Sequence, residues 1–480
     1  MLSAKYTVIM KKRILPLIVI CVVASAKAQQ PLSLQQCVET AISNNLDVRQ
    51  RELQMQSSEA NWKQARMNRL PDLNASAGHS FNQGRSIDPF TNSPVTQSFN
   101  SSNYGISSGV ILFNGLSIHH NIRQNKLSYE ASKMDWQQEK DNVTINVILA
   151  YLQVLSSNDQ LVQAQNQAAL SLKQVERLQV LDAEGAIKPS DLADLKGQYA
   201  GDQVAIISAQ NALESARITL CQWMNIPYDK NMTVEKLDAA SFAARYEENP
   251  GSIFQTALKN LALIKAADLR AAGAESGIKA AKGQLYPVLR FGGNVYTSYS
   301  SVAMQSIYQN TTEVASADYV LVNGNPSPVY KQRDNFSTSK INYSDQLNNN
   351  LYTSFGFNLS IPLFNAWQQR NRIKQAQIQF KTQQLVASAT RTQLGQAIDQ
   401  AYVNMTTASD RYAALLEQVK AYEESFRAAG IRFQEGVGNS IDYLTAKNNL
   451  DRSNVNLIIA KYDYVLRSKI LDYYQGRQLW

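Results

Sequence analysis

The 480-residue sequence is short of the groups on which most protein chemistry depends. It holds three histidines and three cysteines, too few for a disulfide framework or a histidine-based metal or proton-transfer site. Charged residues make up 18%, below the ~25% usual for soluble domains, while apolar content is an ordinary 44%. P-loop, dinucleotide fingerprint, nucleophile elbow and Cys/His metal spacing are all missing, so neither an enzyme nor a cofactor is expected. With 21 glycines and 12 prolines the chain is not collagen-like, and its apolar content excludes wholesale disorder. Long hydrophobic runs are also wanting. Beyond the N-terminal segment no stretch of 18 apolar residues occurs, so no transmembrane helix is available.

The formal charge of +8 and pI near 9.1 point to nucleic acid or a membrane surface only until the charges are located. Residues 1–28 carry Lys5, Lys11, Lys12, Arg13 and Lys27 without an acid, and a short apolar run, Ile14 to Val23, follows Arg13. Ala26-Lys27-Ala28 then reads as a cleavage site, which makes 1–28 a secretory signal peptide, with Met1 or Met10 as its start. Its removal leaves 42 basic against 39 acidic residues, a charge of +3, and no basic run that would bind nucleic acid. Cys37 and Cys221 remain, either as small buried hydrophobes or as one disulfide. The seven later methionines are scattered and form no relay for soft metals.

What is present is a duplication. Residues 40–78 align without gaps on 256–294 at an offset of 216, and 104–221 on 355–472 at an offset of 251. Leu112-Phe113-Asn114 meets Leu363-Phe364-Asn365, Ala150-Tyr151 meets Ala401-Tyr402, and Glu184-Gly185 meets Glu435-Gly436. The mature chain therefore divides into repeats 29–250 and 251–480. Each reads helix, strand, loop, strand, very long helix, turn, helix: an α+β plan.

The first helix of each repeat (about 33–68 and 252–284) is rich in good helix formers and stops before Pro71 or Pro287. Barrel-type strands are expected at about 71–82, 101–113, 287–299 and 350–363. Period-two alternation is clearest in the last, with Leu351, Thr353, Phe355, Phe357, Leu359, Ile361 and Leu363 on one face. Strands of this length cover the ~9–11 residues that cross a bilayer. The joining segments, 82–98 and 301–349, are rich in Asn, Ser, Thr and Tyr and read as exposed loops. His79 falls on a strand with either face open to it; adjacent His119 and His120 point roughly 100° apart on a helix and cannot share an ion.

The long helices, 117–181 and 367–432, are each near 100 Å at ~1.5 Å per residue. Two short helices placed end to end match one of them, which gives a long antiparallel pair with one member in two pieces. A seven-residue stripe, Leu192, Tyr199, Ile206, Leu213 and Leu220, recurs as Tyr443, Leu450, Leu457, Tyr464 and Leu471, so supercoiled packing is expected. Four amphipathic strands cannot close a sheet, and open edges are not tolerated in lipid. Several chains must share a barrel, and because eight strands leave an interior filled by side chains, a pore favours twelve. Pro71, Gly115, Pro287 and Pro362 then mark the helix–barrel junctions.

The duplicated plan, Leu112-Phe113-Asn114-Gly115 with Leu363-Phe364-Asn365-Ala366, and the turns from Glu184-Gly185 to Asp191 and from Glu435-Gly436 to Asp442 resemble the TolC-like outer membrane efflux protein family across about 33–475. The resemblance implies a homotrimer in Gram-negative outer-membrane lipid, with a 12-stranded barrel and a long helical periplasmic tunnel. It implies partners as well: a periplasmic adaptor and an inner-membrane pump of RND or ABC type, exporting drugs, metals or proteins. The turns would form a periplasmic tip, with Gly185 and Gly436 in the turns and Asp191 and Asp442 near a constriction. Asp191 and Asp442 read equally as helix-start carboxylates. Gly438 stands where the family pattern has Arg and Thr445 where it has a second Asp, so a gate of that pattern is not expected; Phe433 leaves an aromatic constriction open. The competing reading is a secreted coiled coil with hairpin tips and no pore.

Overall fold

The computed structural model describes residues 31–87, 92–96, 98–236, 248–477 and 479; the signal-peptide assignment lies outside them. The first repeat runs α1 (Leu34–Asn44), α2 (Leu46–Met67), β1 (Asp72–Asn82), β2 (Arg85–Ile87), β3 (Pro94–Thr96), β4 (Phe99–Phe113), α3 (Ser117–Ala183) and α4 (Pro189–Met224). The second runs α5 (Pro250–Asn260), α6 (Ala262–Gly283), β5 (Val288–Ser300), β6 (Met304–Val322), β7 (Asn325–Lys340), α7 (Tyr343–Asn349), β8 (Tyr352–Ser360), α8 (Gln368–Gln434) and α9 (Ser440–Gln475).

The expected elements are corrected at several places. The helix expected over 33–68 is two, because Asn45 takes an extended conformation (ψ 130°). Its side chain accepts from the N–H groups of Asp47 and Val48 at 2.9 and 3.3 Å, an N-cap that starts a new helix one residue after the last ended. Leu261 breaks 252–284 at the corresponding place with no side-chain cap. The segment 301–349, expected as loop, is mostly a β-hairpin of β6 and β7 followed by α7. Its Thr, Tyr and Val favour strands, and Asn323-Gly324, both at positive φ, makes the tight turn. The last sheet strand ends at Ser360, so Ile361 to Leu363 lie beyond it.

Both long helices hold 67 residues, about 100 Å at ~1.5 Å per residue. Helix α3 packs on α4 along one part and on α2 and α6 along the other; α8 packs on α9 and α6 in the same way. The short helices abut at their ends. Asn225, a left-handed C-cap of α4 (φ 50°), donates through Nδ2 to the carbonyl of Asn44. Gly476, left-handed after α9 (φ 69°), lies against Asn260. The same abutment therefore occurs twice.

The largest cluster of buried side chains lies where α1, α3 and α4 meet, around Val147, Tyr151 and Leu220. Cys37 and Cys221 are both in it and both free thiols. Burial, with Cys221 beside it, pushes the Cys37 thiol up to about 12, so it behaves as a small hydrophobe rather than a nucleophile. A parallel bridge of Leu32 to Val234 is pinned there by Tyr151, whose hydroxyl donates to the Glu235 carbonyl at 2.7 Å.

Candidate functional site

Strands β1, β4, β5 and β8 form one antiparallel sheet in that order. Register assigns the faces. Leu289 opposes Leu359, Phe291 opposes Phe357 and Val110, and Val295 opposes Ile106, and directly opposed residues share a face. That face carries Leu73, Ile106, Phe291, Phe355, Phe357 and Leu359, all exposed in the single chain. The other face carries Asn74, Ser76, Asn103, Ser107, Asn294, Ser354 and Asn358, with glycine at 78, 105, 109, 292 and 356. One wall is therefore apolar and one polar, as lipid outside and water inside require. His79 takes the apolar face close to the end away from the helices, its Nδ1 2.9 Å from Ser102 Oγ. Tyr104, Tyr299 and Tyr343 gather there too: Tyr104 and Tyr343 hydroxyls are 2.8 Å apart, and the rings of Tyr299 and Tyr343 are 4.6 Å apart. Such amphipathic rings suit a membrane–water boundary. Both edge strands, β1 and β8, have an unpaired outer side.

Where the sheet meets the helices, Pro71 stands between α2 and β1, Pro287 between α6 and β5, and Pro362 between β8 and α8. Gly115 (φ +63°) and Leu116 (φ 62°) turn β4 into α3, and Ala366 and Trp367 (φ 50° and 64°) lead into α8 from the same places in the second repeat. A Cβ on Gly115 would come within 2.2 Å of the Gly283 carbonyl. The C-terminus of α6 is thereby wedged against the junction.

At the far end of the helices the two turns place Gly185 and Gly436 at φ +70° and +71°, a conformation in which glycine carries no Cβ penalty. Asp191 and Asp442 lie in the first turns of α4 and α9, half-buried and exposed respectively. Neither is the cap. Asn439 caps α9, accepting from the Asp442 N–H at 2.7 Å, while α4 starts at Pro189 without a side-chain cap. The two turns are tied together by Ser440 Oγ donating to Asp194 at 3.0 Å. Phe433 is not free to project, because its ring stacks on Tyr443 at 5.1 Å, with Phe426 on the same ring at 5.4 Å. Gly438 donates its N–H to the Arg432 carbonyl at 3.0 Å, and a Cβ there would press on Arg432 at 3.3 Å.

Two further features of the tip emerge only from its packing. Val437 and Ile441 are 80% and 67% exposed, so the turn from α8 into α9 presents an apolar spot beside Asp442. Behind it, Lys447 is 1% exposed with Nζ 3.0 Å from Asp202 and 2.7 Å from Asp451. Ser171 donates to Asp202 at 2.5 Å, so α3, α4 and α9 meet on one buried charge cluster. Burial pushes the Asp451 carboxyl up, its hydrogen bond and charge attraction to Lys447 pull it down, and Asp202 adds to the upward push. The same burial raises the Tyr443 hydroxyl to about 12. Only the i,i+4 spacing of Lys447 and Asp451 was there to be read; the Asp202 partner is 245 residues away.

Among the described residues no group of acids, histidines and cysteines could hold a metal. No described helix is long and apolar enough to cross a membrane. The outer membrane efflux protein family model matches residues 37–225 and 253–476. The chain belongs to that family. This family member is an outer-membrane exit duct, not a pore-less secreted coiled coil. It is 19% identical over 385 residues to the outer membrane efflux protein BepC of Brucella suis biovar 1 (strain 1330), a match covering 80% of this chain and 74% of that protein. The fold is similar to that of the outer membrane protein VceC of Vibrio cholerae (TM-score 0.73, 13% identity, 93% of this chain and 97% of that chain). It is similar as well to the open state of the MtrE outer membrane channel of Neisseria gonorrhoeae (TM-score 0.70, 17% identity, 93% and 89%). The efflux duct thus has a polar-walled sheet at one end and a charged, closely packed tip at the other.

Proposed function

We propose that three copies share one 12-stranded barrel and one helical tunnel, and that this trimer is the passive outer-membrane stage of a tripartite exporter. The observation that carries the reading is the sheet with an apolar face, a polar, glycine-rich face and two open edges. Joining β8 of one copy to β1 of the next removes every edge, which lipid demands. Two copies would give eight strands, an interior filled by side chains, and three leave a water-filled lumen.

The tip is the inner gate and docking surface in this proposal. Asp191 and Asp442 from three copies would ring the lumen, and Val437 and Ile441 would meet the periplasmic adaptor. The energy of export comes from an inner-membrane pump of RND or ABC type, in keeping with a chain that carries no nucleotide motif. Small molecules such as drugs are the cargo that a passive duct with a polar wall serves. Residues 1–28 direct the chain to the periplasm and are then removed.

Purified protein in planar bilayers tests this. The expected result is stepwise conductance from a detergent-stable trimer; a monomer or dimer without conductance would contradict it.

A further inference from the structure

The β6–β7 hairpin leaves the sheet at the end opposite the helices, directly after β5. Its root is rigid. Gln346, 1% exposed, accepts from the Ser300 N–H at 2.9 Å and donates to the carbonyls of Ser300 and Ile341 at 3.0 and 2.9 Å. The hairpin is therefore aimed, not tethered. Beyond that root β6 and β7 pack on each other, and among the described residues no other element packs extensively against either. A lone two-stranded ribbon is marginal in water, so one this long needs a partner.

Register separates its two faces. Tyr308 opposes Phe336, Thr311 opposes Asp334, Glu313 opposes Gln332 and Ala315 opposes Tyr330, so one face is aromatic and acidic. Thr312 opposes Arg333 and Val314 opposes Lys331, so the other face is basic. Side-chain bonds agree: Thr311 Oγ1 donates to Asp334 at 2.5 Å on the first face, and Asn335 donates to Thr312 at 2.9 Å on the second. Tyr308, Tyr330 and Phe336 are each more than half exposed.

Such a ribbon repels its own like face and fits the opposite face of an identical one. The contact is heterologous, and it closes if it is repeated around an axis. Twelve strands ~4.8 Å apart and tilted ~40° enclose a barrel about 24 Å across, so three hairpin roots would stand roughly 20 Å apart. Strands of 16 and 19 residues reach about 50–60 Å at ~3.3 Å per residue. Neighbouring hairpins are thus well within reach of each other at high effective concentration.

We propose that the β6–β7 hairpins of the copies sharing one barrel dock head to tail, the basic face of one on the aromatic, acidic face of the next, as a collar over the outer mouth of the duct. The inference rests on the trimeric reading above. The collar prolongs the polar passage beyond the membrane and covers aromatic surface that each chain alone leaves in water.

The test uses full-length protein purified in detergent and carrying both Lys331→Cys and Asp334→Cys. These two positions lie on opposite faces of one strand and cannot bond within a chain, and the native Cys37 and Cys221 are buried. Mild oxidation is expected to yield covalent two- and three-chain species, while either single variant stays a single chain in denaturing gels. Adding Arg333→Glu should lower the linked yield at least tenfold, and adding Glu313→Lys to that should restore it. A three-chain native mass with no hairpin linkage would overturn the collar while leaving the trimeric duct intact, the hairpin's partner then being foreign to the channel. A one-chain native mass would overturn the trimeric reading and the collar with it.

Discussion

The two repeats build the same skeleton and hold it by different means. Lys196 and Lys447 occupy equivalent positions 251 residues apart, yet Lys196 is exposed and Lys447 is buried between Asp202 and Asp451. Gly115 and Ala366 make the same left-handed junction, one with no room for a Cβ and the other already carrying one. Asn45 and Leu261 break their helices at the same step, one by a side-chain cap and the other within the packed cluster around Ile253 and Ile264. Duplication has kept the backbone path and let the interactions drift. The path is thus the constrained quantity, and each local solution can be broken separately.

The largest asymmetry is expected at the lysines. Lys447→Met leaves the buried Asp202 and the half-buried Asp451 without their counter-charge and should cost about 3–5 kcal/mol, whereas Lys196→Met should stay within ~0.5 kcal/mol, as surface changes do. Thermal unfolding of the detergent-solubilised protein compares them; equal losses would remove the buried cluster from the account. Next comes the junction. Gly115→Ala must displace the Gly283 carbonyl and hold a left-handed backbone, a loss of about 2–4 kcal/mol. Ala366→Gly should be neutral or gain up to ~1 kcal/mol for the same reason reversed. Denaturant unfolding of the pair decides it, and a harmless Gly115→Ala would show that the wedge is loose.

A smaller effect separates the helix breaks. Asn45→Ala should cost about 1 kcal/mol through lost capping, while Asn45→Asp should retain most of the stability. At the tip the expected change in stability is smallest. Asp191→Ala and Asp442→Ala should each cost under ~1 kcal/mol, since neither carboxylate caps its helix and only the dipole contribution is lost. Both should alter single-channel conductance or its block by cations. Loss of stability with unchanged conductance would return these residues to helix-start chemistry alone.

Much of the skeleton was legible because it is written in periodicities that burial enforces. Alternation along Leu351–Leu359 and the seven-residue stripe from Leu192 reflect faces that must choose between solvents, and the offsets of 216 and 251 exposed the duplication. The breaks at Asn45 and Leu261 were harder, since both interrupt runs of good helix formers without proline or glycine. The β6–β7 hairpin has a loop-like sequence because its polar alternation, unlike that of β8, buries neither face within the chain. At the tip, the turns with Gly185 and Gly436 were visible from local spacing. The Lys447–Asp202 contact joins two repeats and has no local signature, and Phe433 showed its aromatic character but not the Tyr443 ring that holds it.

A shared barrel requires that the open edges of one sheet be closed by other copies. Ser76 on β1 and Asn358 on β8 both lie on the polar face, but two strands separate them within a chain, about 14 Å at ~4.8 Å per strand, beyond disulfide reach. Ser76→Cys should therefore be combined, one pair at a time, with Cys at Ser354, Gly356 and Asn358, and the protein oxidised in the membrane. One of these pairs is expected to yield a covalent species of three chains in a denaturing gel. Linkage that stops at two chains, or a bond formed within a single chain, would contradict it.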